Sequence, residues 1–151
     1  MMSGEIFAHT YKVVKGQSLV ETVLANGNYP ASGSYIDVSG CERFICIISL
    51  GTLADALTFT LKQADAVDGT LDALDATYAA HTGAANDDGE FVIMEVEVDK
   101  LATDHHFVSC VLSGVSGSNY AEIFFLLPLK SLPVTQTTAV LPSASQHAFV
   151  G

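Results

Sequence analysis

YIDVSGCERFICIISLGTLADALTFTLKQ, residues 35–63, contains the two segments that decide the fold. In the second of them, residues 56–63, apolar and polar side chains alternate. One side of an extended chain would carry Leu57, Phe59 and Leu61, and the other Thr58, Thr60 and Lys62. A period of two is typical of a strand with one buried face. We therefore predict a strand that turns its leucines and phenylalanine into a core.

The first segment, residues 43–50, is apolar on both faces and rich in β-branched residues. This composition is typical of a central strand that is covered on both sides. We predict that the two segments form a hairpin, joined by GTLAD, at the centre of an all-β core. Because a single sheet would leave one face of the first strand in water, the sequence favours a two-layer sandwich or a sheet whose second face is closed by another subunit.

Three later segments also have strand character: residues 91–98, 106–112 and 120–129. The first of them alternates, which predicts that its valines and Met94 face inward and that Glu95 and Glu97 face the solvent. The second places Val108, Cys110 and Leu112 on one face. The third ends near Pro128 and Pro133, which cannot donate a ladder hydrogen bond.

Weaker signals fill the remaining chain. Residues 6–14 predict a first strand, residues 17–25 fit either a short helix or a strand, and residues 26–34 (NGNYPASGS) predict a loop. In residues 64–86 the aspartates could form one stripe of a helix, but Gly69 interrupts it and Asp is a poor helix former. We predict an acidic loop there, followed by a short strand at residues 76–80.

Strand-like segments separated by turn signals predict an all-β protein, an antiparallel β-sandwich or jelly-roll-like single domain with extended terminal arms. We divide the chain into an N-terminal arm with the first strand (1–34), a β-sandwich core (35–134) and a C-terminal arm (135–151). A chain of 151 residues is long enough to form one such core without a disulfide or a metal ion.

The charge of the chain restricts its partners. Seventeen acidic residues against six basic ones give a net charge of −11, which argues against binding to a nucleic-acid backbone. Such a charge keeps an apolar chain soluble and also suits docking on a basic protein surface. The longest apolar run, residues 123–129, is far shorter than the ~20 residues of a membrane-spanning helix. Since the first residues do not resemble a secretory signal, we expect a protein made in the cytoplasm.

The chain has three cysteines and no CxxC pair. Cys46 and Cys110 lie in apolar strand-like runs, where a free cysteine usually behaves as a small buried hydrophobe. Cys41 follows a Ser-Gly turn, so we expect that it could be exposed. These positions predict structural thiols rather than a redox pair.

No residue pattern predicts a reaction or a cofactor. Asp65, Asp68, Asp72 and Asp75 do not have the spacing of an EF-hand loop, and a solvated acidic loop explains them better. Adjacent residues of a strand point to opposite faces, so His105 and His106 cannot hold one ion together. Ser116 lacks the spacing of a nucleophile elbow. We therefore expect neither an enzyme, nor a cofactor, nor a metal site.

The succession of motifs resembles a family of proteins. YIDVSGCERFICIISLGTL, ALTFTLKQADAVDGT, DDGEFVIMEVEVDKLATDHHFVSCVLSG and AEIFFLLPLKSLPV, which lie within residues 35–134, look like a family of small all-β structural proteins of tailed bacteriophages, encoded with the head genes. The resemblance implies a decoration, or cement, protein on the outer capsid surface. It further implies the major capsid protein as partner, self-association as a homotrimer, and a virion location after assembly in the host cytoplasm.

Candidate interface residues follow from this expectation. Leu141, Phe149 and Val150 are apolar anchors with which the C-terminal arm could order against a neighbouring subunit or the shell. Tyr29 and Tyr35 are further candidates. Three alternatives stay open: a head-completion or tail protein that forms rings, a host-facing module whose tyrosines contact a glycan, and a small hydrolase, which lacks a nucleophile–base motif.

Overall fold

A computed structural model describes residues 11–16, 23–74, 80–82 and 89–128. These residues form ten strands and a single 3₁₀ turn: β1 (Tyr11–Lys15), β2 (Gly27–Tyr29), β3 (Ile36–Asp37), β4 (Arg43–Leu50), β5 (Thr58–Ala64), β6 (Asp72–Ala73), β7 (Ala80–Thr82), β8 (Phe91–Glu97), the turn Val98–Lys100, β9 (Phe107–Ser113) and β10 (Ala121–Pro128). This part of the chain contains no helix long and apolar enough to cross a membrane.

The strands form two antiparallel sheets. The four-stranded sheet has the order β1-β10-β4-β8. The six-stranded sheet has β9 and β5 at its centre, with β2 and β3 beside β9 and with β6 and β7 beside β5. The predicted all-β antiparallel sandwich is confirmed.

Within the described residues, pairing in both sheets is nested. Strand β1 pairs with β10, β2 and β3 pair with β9, β4 pairs with β8, and β5 pairs with β6 and β7. Most connections therefore pass from one sheet to the other. Two strands of the segment 1–34, β1 and β2, belong to the sheets, since they pair with β10 and β9.

The predicted hairpin of residues 43–50 and 56–63 is wrong. Both segments are strands, but β4 lies between β10 and β8 in one sheet and β5 pairs with β9 in the other. The connection between them crosses the sandwich. Alternation specifies which side of a strand is buried but not which strand lies beside it, so neighbouring strands in sequence need not pair.

The core lies between the inner faces of the two sheets. Its largest fully buried side chains include Phe44, Phe125 and Phe59. The rings of Phe44 and Phe125 are 6.5 Å apart between centroids. As predicted, β8 turns Val92 and Val96 into this core and exposes its glutamates.

All three cysteines are buried. Cys46 of β4 and Cys110 of β9 come from opposite sheets. The hydrogen bond between their thiols, together with burial, raises the pKa of Cys46 above its ordinary value. The expectation for Cys41 is corrected, because its side chain is only 2% exposed. The local turn that suggested exposure is folded back onto the core cluster.

The predicted loop at residues 26–34 is also corrected in part, because it contains β2. A strand of three residues is too short to leave a periodic pattern in the sequence. The predictions for residues 6–10, 17–22 and 76–79 and for the arm 135–151 lie outside the described residues.

Candidate functional site

The outer face of the four-stranded sheet carries a continuous group of apolar side chains. Pairing sets Ile93 of β8 beside Ile47 of β4 and Ile47 beside Phe124 of β10. In the next row, Ile45 lies beside Leu126. We call the set the apolar face: Ile45, Ile47, Phe91, Ile93, Phe124 and Leu126.

Solvent reaches this face most freely at β8. Phe91 and Ile93 are each 66% exposed, whereas Ile47 and Phe124 are partly covered. Single exposed apolar residues are ordinary on protein surfaces, whereas a contiguous group is a candidate interaction site. Three neighbouring strands contribute to this group, so it is a surface and not an isolated side chain.

Acidic side chains border the apolar face. Glu95 lies next to Ile45 across the β4–β8 pair. Its carboxylate forms an ion pair with the guanidinium of Arg43, with 2.8 Å between nitrogen and oxygen. Beyond the end of β8, an open cleft of about 430 Å³ is lined by Glu42, Arg43, Glu97 and Asp99. Three carboxylates against one guanidinium make this cleft attractive to a cation on a partner.

A second polar cluster joins two loops that cross between the sheets. The carboxylate of Asp55 accepts hydrogen bonds from the Ser116 hydroxyl (2.6 Å), the N–H of Ser116 (2.8 Å) and Gly117 (2.7 Å), and the Asn119 amide (2.6 Å). These donors, the Ser116 hydroxyl first, hold the pKa of Asp55 far below its ordinary value. The oxygens of Asp55 are thus occupied by hydrogen bonds from one loop to the other, and this arrangement stabilises the loops.

Asn119 completes this junction. Its side chain is fully buried, and its Oδ1 accepts hydrogen bonds from the N–H groups of Ala54 (2.8 Å) and Asp55 (2.9 Å). Nearby, Gly114 has a φ of +93°, and a Cβ there would lie 2.8 Å from the carbonyl oxygen of Ala56. Only glycine adopts this conformation readily in so little space.

His105 and His106 have different surroundings. The Nε2 of His105 lies 3.1 Å from Oδ2 of Asp72, and its Nδ1 lies 3.0 Å from the carbonyl oxygen of Thr103. Hydrogen bonds to Thr103 and Asp72 raise the pKa of His105, because acceptors at both nitrogens favour the doubly protonated ring. The ring of His106 instead packs against the ring of Phe107, with the two centroids 4.5 Å apart and the planes tilted by 39°.

The other sequence candidates do not form a site in the described residues. Asp65 and Asp68 are exposed, and residues 11–16, 23–74, 80–82 and 89–128 contain no group of three or more His, Cys, Asp or Glu residues that could hold a metal ion. Asp75 lies outside these ranges.

The predicted interface tyrosines pack inward. Tyr35 is only 6% exposed, and its hydroxyl accepts a 3.2 Å hydrogen bond from the Asn28 amide. Tyr29 packs against the core, and its hydroxyl donates to the carbonyl oxygen of Ala25 at 2.7 Å. Leu141, Phe149 and Val150 lie outside the described residues.

The sequence interpretation missed the apolar face. It assigned Glu95 and Glu97 to the outer side of β8 but did not follow the same alternation back to Ile93 and Phe91. That period-two pattern was the signal from which the outward position of both residues could have been predicted. The cross-strand neighbours of these residues could not be deduced from it.

Comparison with known protein families, with curated proteins and with solved structures gave no match to this chain.

Proposed function

We propose that this protein is a non-catalytic structural component that docks on a larger protein assembly, and that the assembly is the capsid of a tailed bacteriophage. The observation that carries the docking role is the apolar face, above all Phe91 and Ile93 at 66% exposure each. Burying this face removes apolar area from water, which is the dominant favourable term in most protein association. The capsid assignment rests on the resemblance of residues 35–134 to head decoration proteins.

Two further observations support this proposal. The nested strand pairing favours the jelly-roll form of the sandwich over other windings, since it is the pairing of one long antiparallel ribbon folded back on itself. The net charge of −11 favours a basic partner surface over association with a copy of equal charge. The homotrimer implied by the resemblance would then depend on contacts outside the acidic border of the apolar face.

The glycan-binding alternative depends on exposed tyrosines, of which Tyr29 and Tyr35 pack inward and Tyr78 lies outside the described residues. A ring-forming head-completion or tail protein would use the same apolar face. Light scattering of the purified protein distinguishes a trimer from a ring.

The direct test is to mix the purified protein with undecorated capsid shells of the phage and to measure bound protein by co-sedimentation. We expect saturable binding that weakens as salt increases, because the border of the face is charged. Phe91→Ser should weaken binding, while Thr60→Ser on the opposite sheet should not. Lack of saturable binding by the wild-type protein would contradict the capsid role.

A further inference from the structure

The backbone of β8 offers a second means of recognition at the apolar face. In the described residues β8 pairs with β4 alone, so it is an edge strand of the four-stranded sheet. At one end of this pair the N–H of Val98 donates to the carbonyl oxygen of Glu42 (2.9 Å). At the other end the N–H of Leu50 donates to the carbonyl oxygen of Glu90 (2.8 Å). Edge strands present unpaired N–H and C=O groups, which makes them templates for another strand.

The register shows which residues of β8 carry the unpaired groups. Opposed residues of an antiparallel pair alternate between hydrogen-bonded and non-hydrogen-bonded pairs. Because residues 90 and 98 both bond to β4, the even-numbered residues between them do so as well. The odd-numbered residues direct their N–H and C=O groups away from β4, toward the free edge: Phe91, Ile93, Glu95 and Glu97.

The same four residues carry the outward side chains. Phe91 and Ile93 are the most exposed members of the apolar face, and Glu95 and Glu97 are exposed as well. Along the strand, the outer side therefore changes from apolar to acidic. At the acidic end lies the cleft lined by Glu42, Arg43, Glu97 and Asp99.

We propose that β8 binds an extended segment of the partner protein as an added antiparallel strand, and that this segment carries basic residues followed by apolar residues at alternate positions. This inference rests on the docking role proposed above and identifies the chemistry of its partner. Basic side chains would lie opposite Glu97 and Glu95, and apolar side chains opposite Ile93 and Phe91. Main-chain hydrogen bonds provide affinity in such complexes, and alternate side chains provide specificity.

Charge decides between this occupant and a second copy of the chain. A second copy would bring its own Glu95 and Glu97 to the same edge of a protein that already carries a net charge of −11. A basic and apolar segment instead pairs opposite charges across neighbouring strands, which is favourable at each pair.

A synthetic peptide tests the edge directly. The peptide Lys-Thr-Lys-Thr-Ile-Thr-Val matches β8 in antiparallel orientation, and its control replaces both lysines by glutamates. We expect the control to bind about tenfold more weakly, since two attractive cross-strand pairs become repulsive. Titration of the isotope-labelled full chain, followed by amide resonances, measures both affinities. Equal affinity for the two peptides, or no binding of either, would overturn the proposal.

Hydrogen exchange gives a residue-level test. In the free protein the amides of Val92, Met94 and Val96 should be protected, while those of Ile93 and Glu95 exchange fast. The lysine peptide should add protection at these two amides and at those of Phe91 and Glu97, which also face the free edge. Protection of these two amides in the free full-length chain would mean that another segment of the chain or a second copy occupies the edge, and the proposal would be wrong.

One variant separates this inference from the docking role. Ile93→Pro removes an N–H that β4 does not use, and proline is tolerated on the outer side of an edge strand. We expect it to lose peptide and capsid binding, while Ile93→Val, which keeps the N–H and most of the apolar side chain, should lower both affinities only slightly. Capsid binding by Ile93→Pro at wild-type strength would overturn strand addition and leave the docking role intact. Failure of the wild-type protein to bind capsids, with peptide binding retained, would overturn the docking role alone.

Discussion

The two sheets of the sandwich have similar inner faces and different outer faces. Toward the core, each presents buried aliphatic and aromatic side chains. Outside, the centre of the six-stranded sheet carries Thr60 beside Val111 and Lys62 beside Ser109, whose hydroxyl is buried and donates to the carbonyl oxygen of Pro30. The four-stranded sheet presents the apolar face. Since the core needs only the inner faces, this difference supports the docking role proposed for the four-stranded sheet.

The largest difference in stability between the inner and outer sides of the sheet is expected at two adjacent phenylalanines of β10. Phe125 is fully buried between the sheets, whereas Phe124 is on the apolar face. Phe125→Ala should lower the free energy of unfolding by about 3–5 kcal/mol, because it leaves a cavity in the core. Phe124→Ala should cost about 1 kcal/mol or less. Urea denaturation of both variants measures the difference, and equal losses would contradict the assignment of inner and outer faces.

The loop junction that links the sheets should have the next largest effect. Asn119→Ala would leave the N–H groups of Ala54 and Asp55 without their acceptor in a partly buried place. We expect a loss of about 2–3 kcal/mol in the free energy of unfolding. Ser118→Ala, an exposed neighbour, is the matched control and should be neutral. A neutral Asn119→Ala variant would show that the core alone holds the sheets together.

Substitutions on the two outer faces should distinguish the faces by dye binding while leaving stability almost unchanged. Ile93→Lys and Thr60→Lys each place a lysine on an outer face, and both should alter the free energy of unfolding by about 0.5 kcal/mol or less. Only Ile93→Lys should lower the fluorescence of a dye that binds exposed apolar surface, since only it interrupts an apolar group. A similar decrease for both variants would mean that the outer faces are equivalent.

Acid should weaken the junction between the sheets. The pKa of Asp55 is lower in the folded protein than in the unfolded chain, so its contribution to stability is present above the ordinary pKa of about 3.9 and is lost as the pH falls through the folded value. Asp55→Asn should therefore unfold with a smaller dependence on pH between about pH 4 and pH 2. Melting temperatures measured across that range test this, and parallel curves would argue against the role of Asp55.

The smallest expected effect lies at the edge of the six-stranded sheet. His105 contacts Asp72 of β6, and its pKa is raised. Its contribution to stability is complete below the ordinary pKa of about 6.5 and is lost as the pH rises through the folded value. The wild-type protein should thus lose slightly more stability than His105→Gln above neutral pH. Hydrogen exchange at β6 should detect this local change, and identical pH profiles would contradict it.

Much of the fold could be predicted because burial follows the period of a strand. The inward residues of β5 and β8, such as Phe59 and Val96, are those that alternation selects. The hairpin prediction failed because β4 takes its neighbours from β8 and β10, which are distant in sequence. The same limit applies to the candidate site. Ile93 is 66% exposed and Phe124 is partly covered, and both side chains face outward. Only the pairing of their strands with β4 places them on one surface.

The sequence by itself determined the longer strands, their buried sides and the acidic charge, because each of these depends on neighbouring residues or on composition. The tertiary structure decided which strands pair, since Tyr11 meets Pro128 and Ile47 meets Ile93 only when the chain is wound into two sheets. It therefore also decided that outward apolar residues of three strands form one face. Contacts between distant residues depend on the arrangement of the whole chain, so local periodicity cannot predict them.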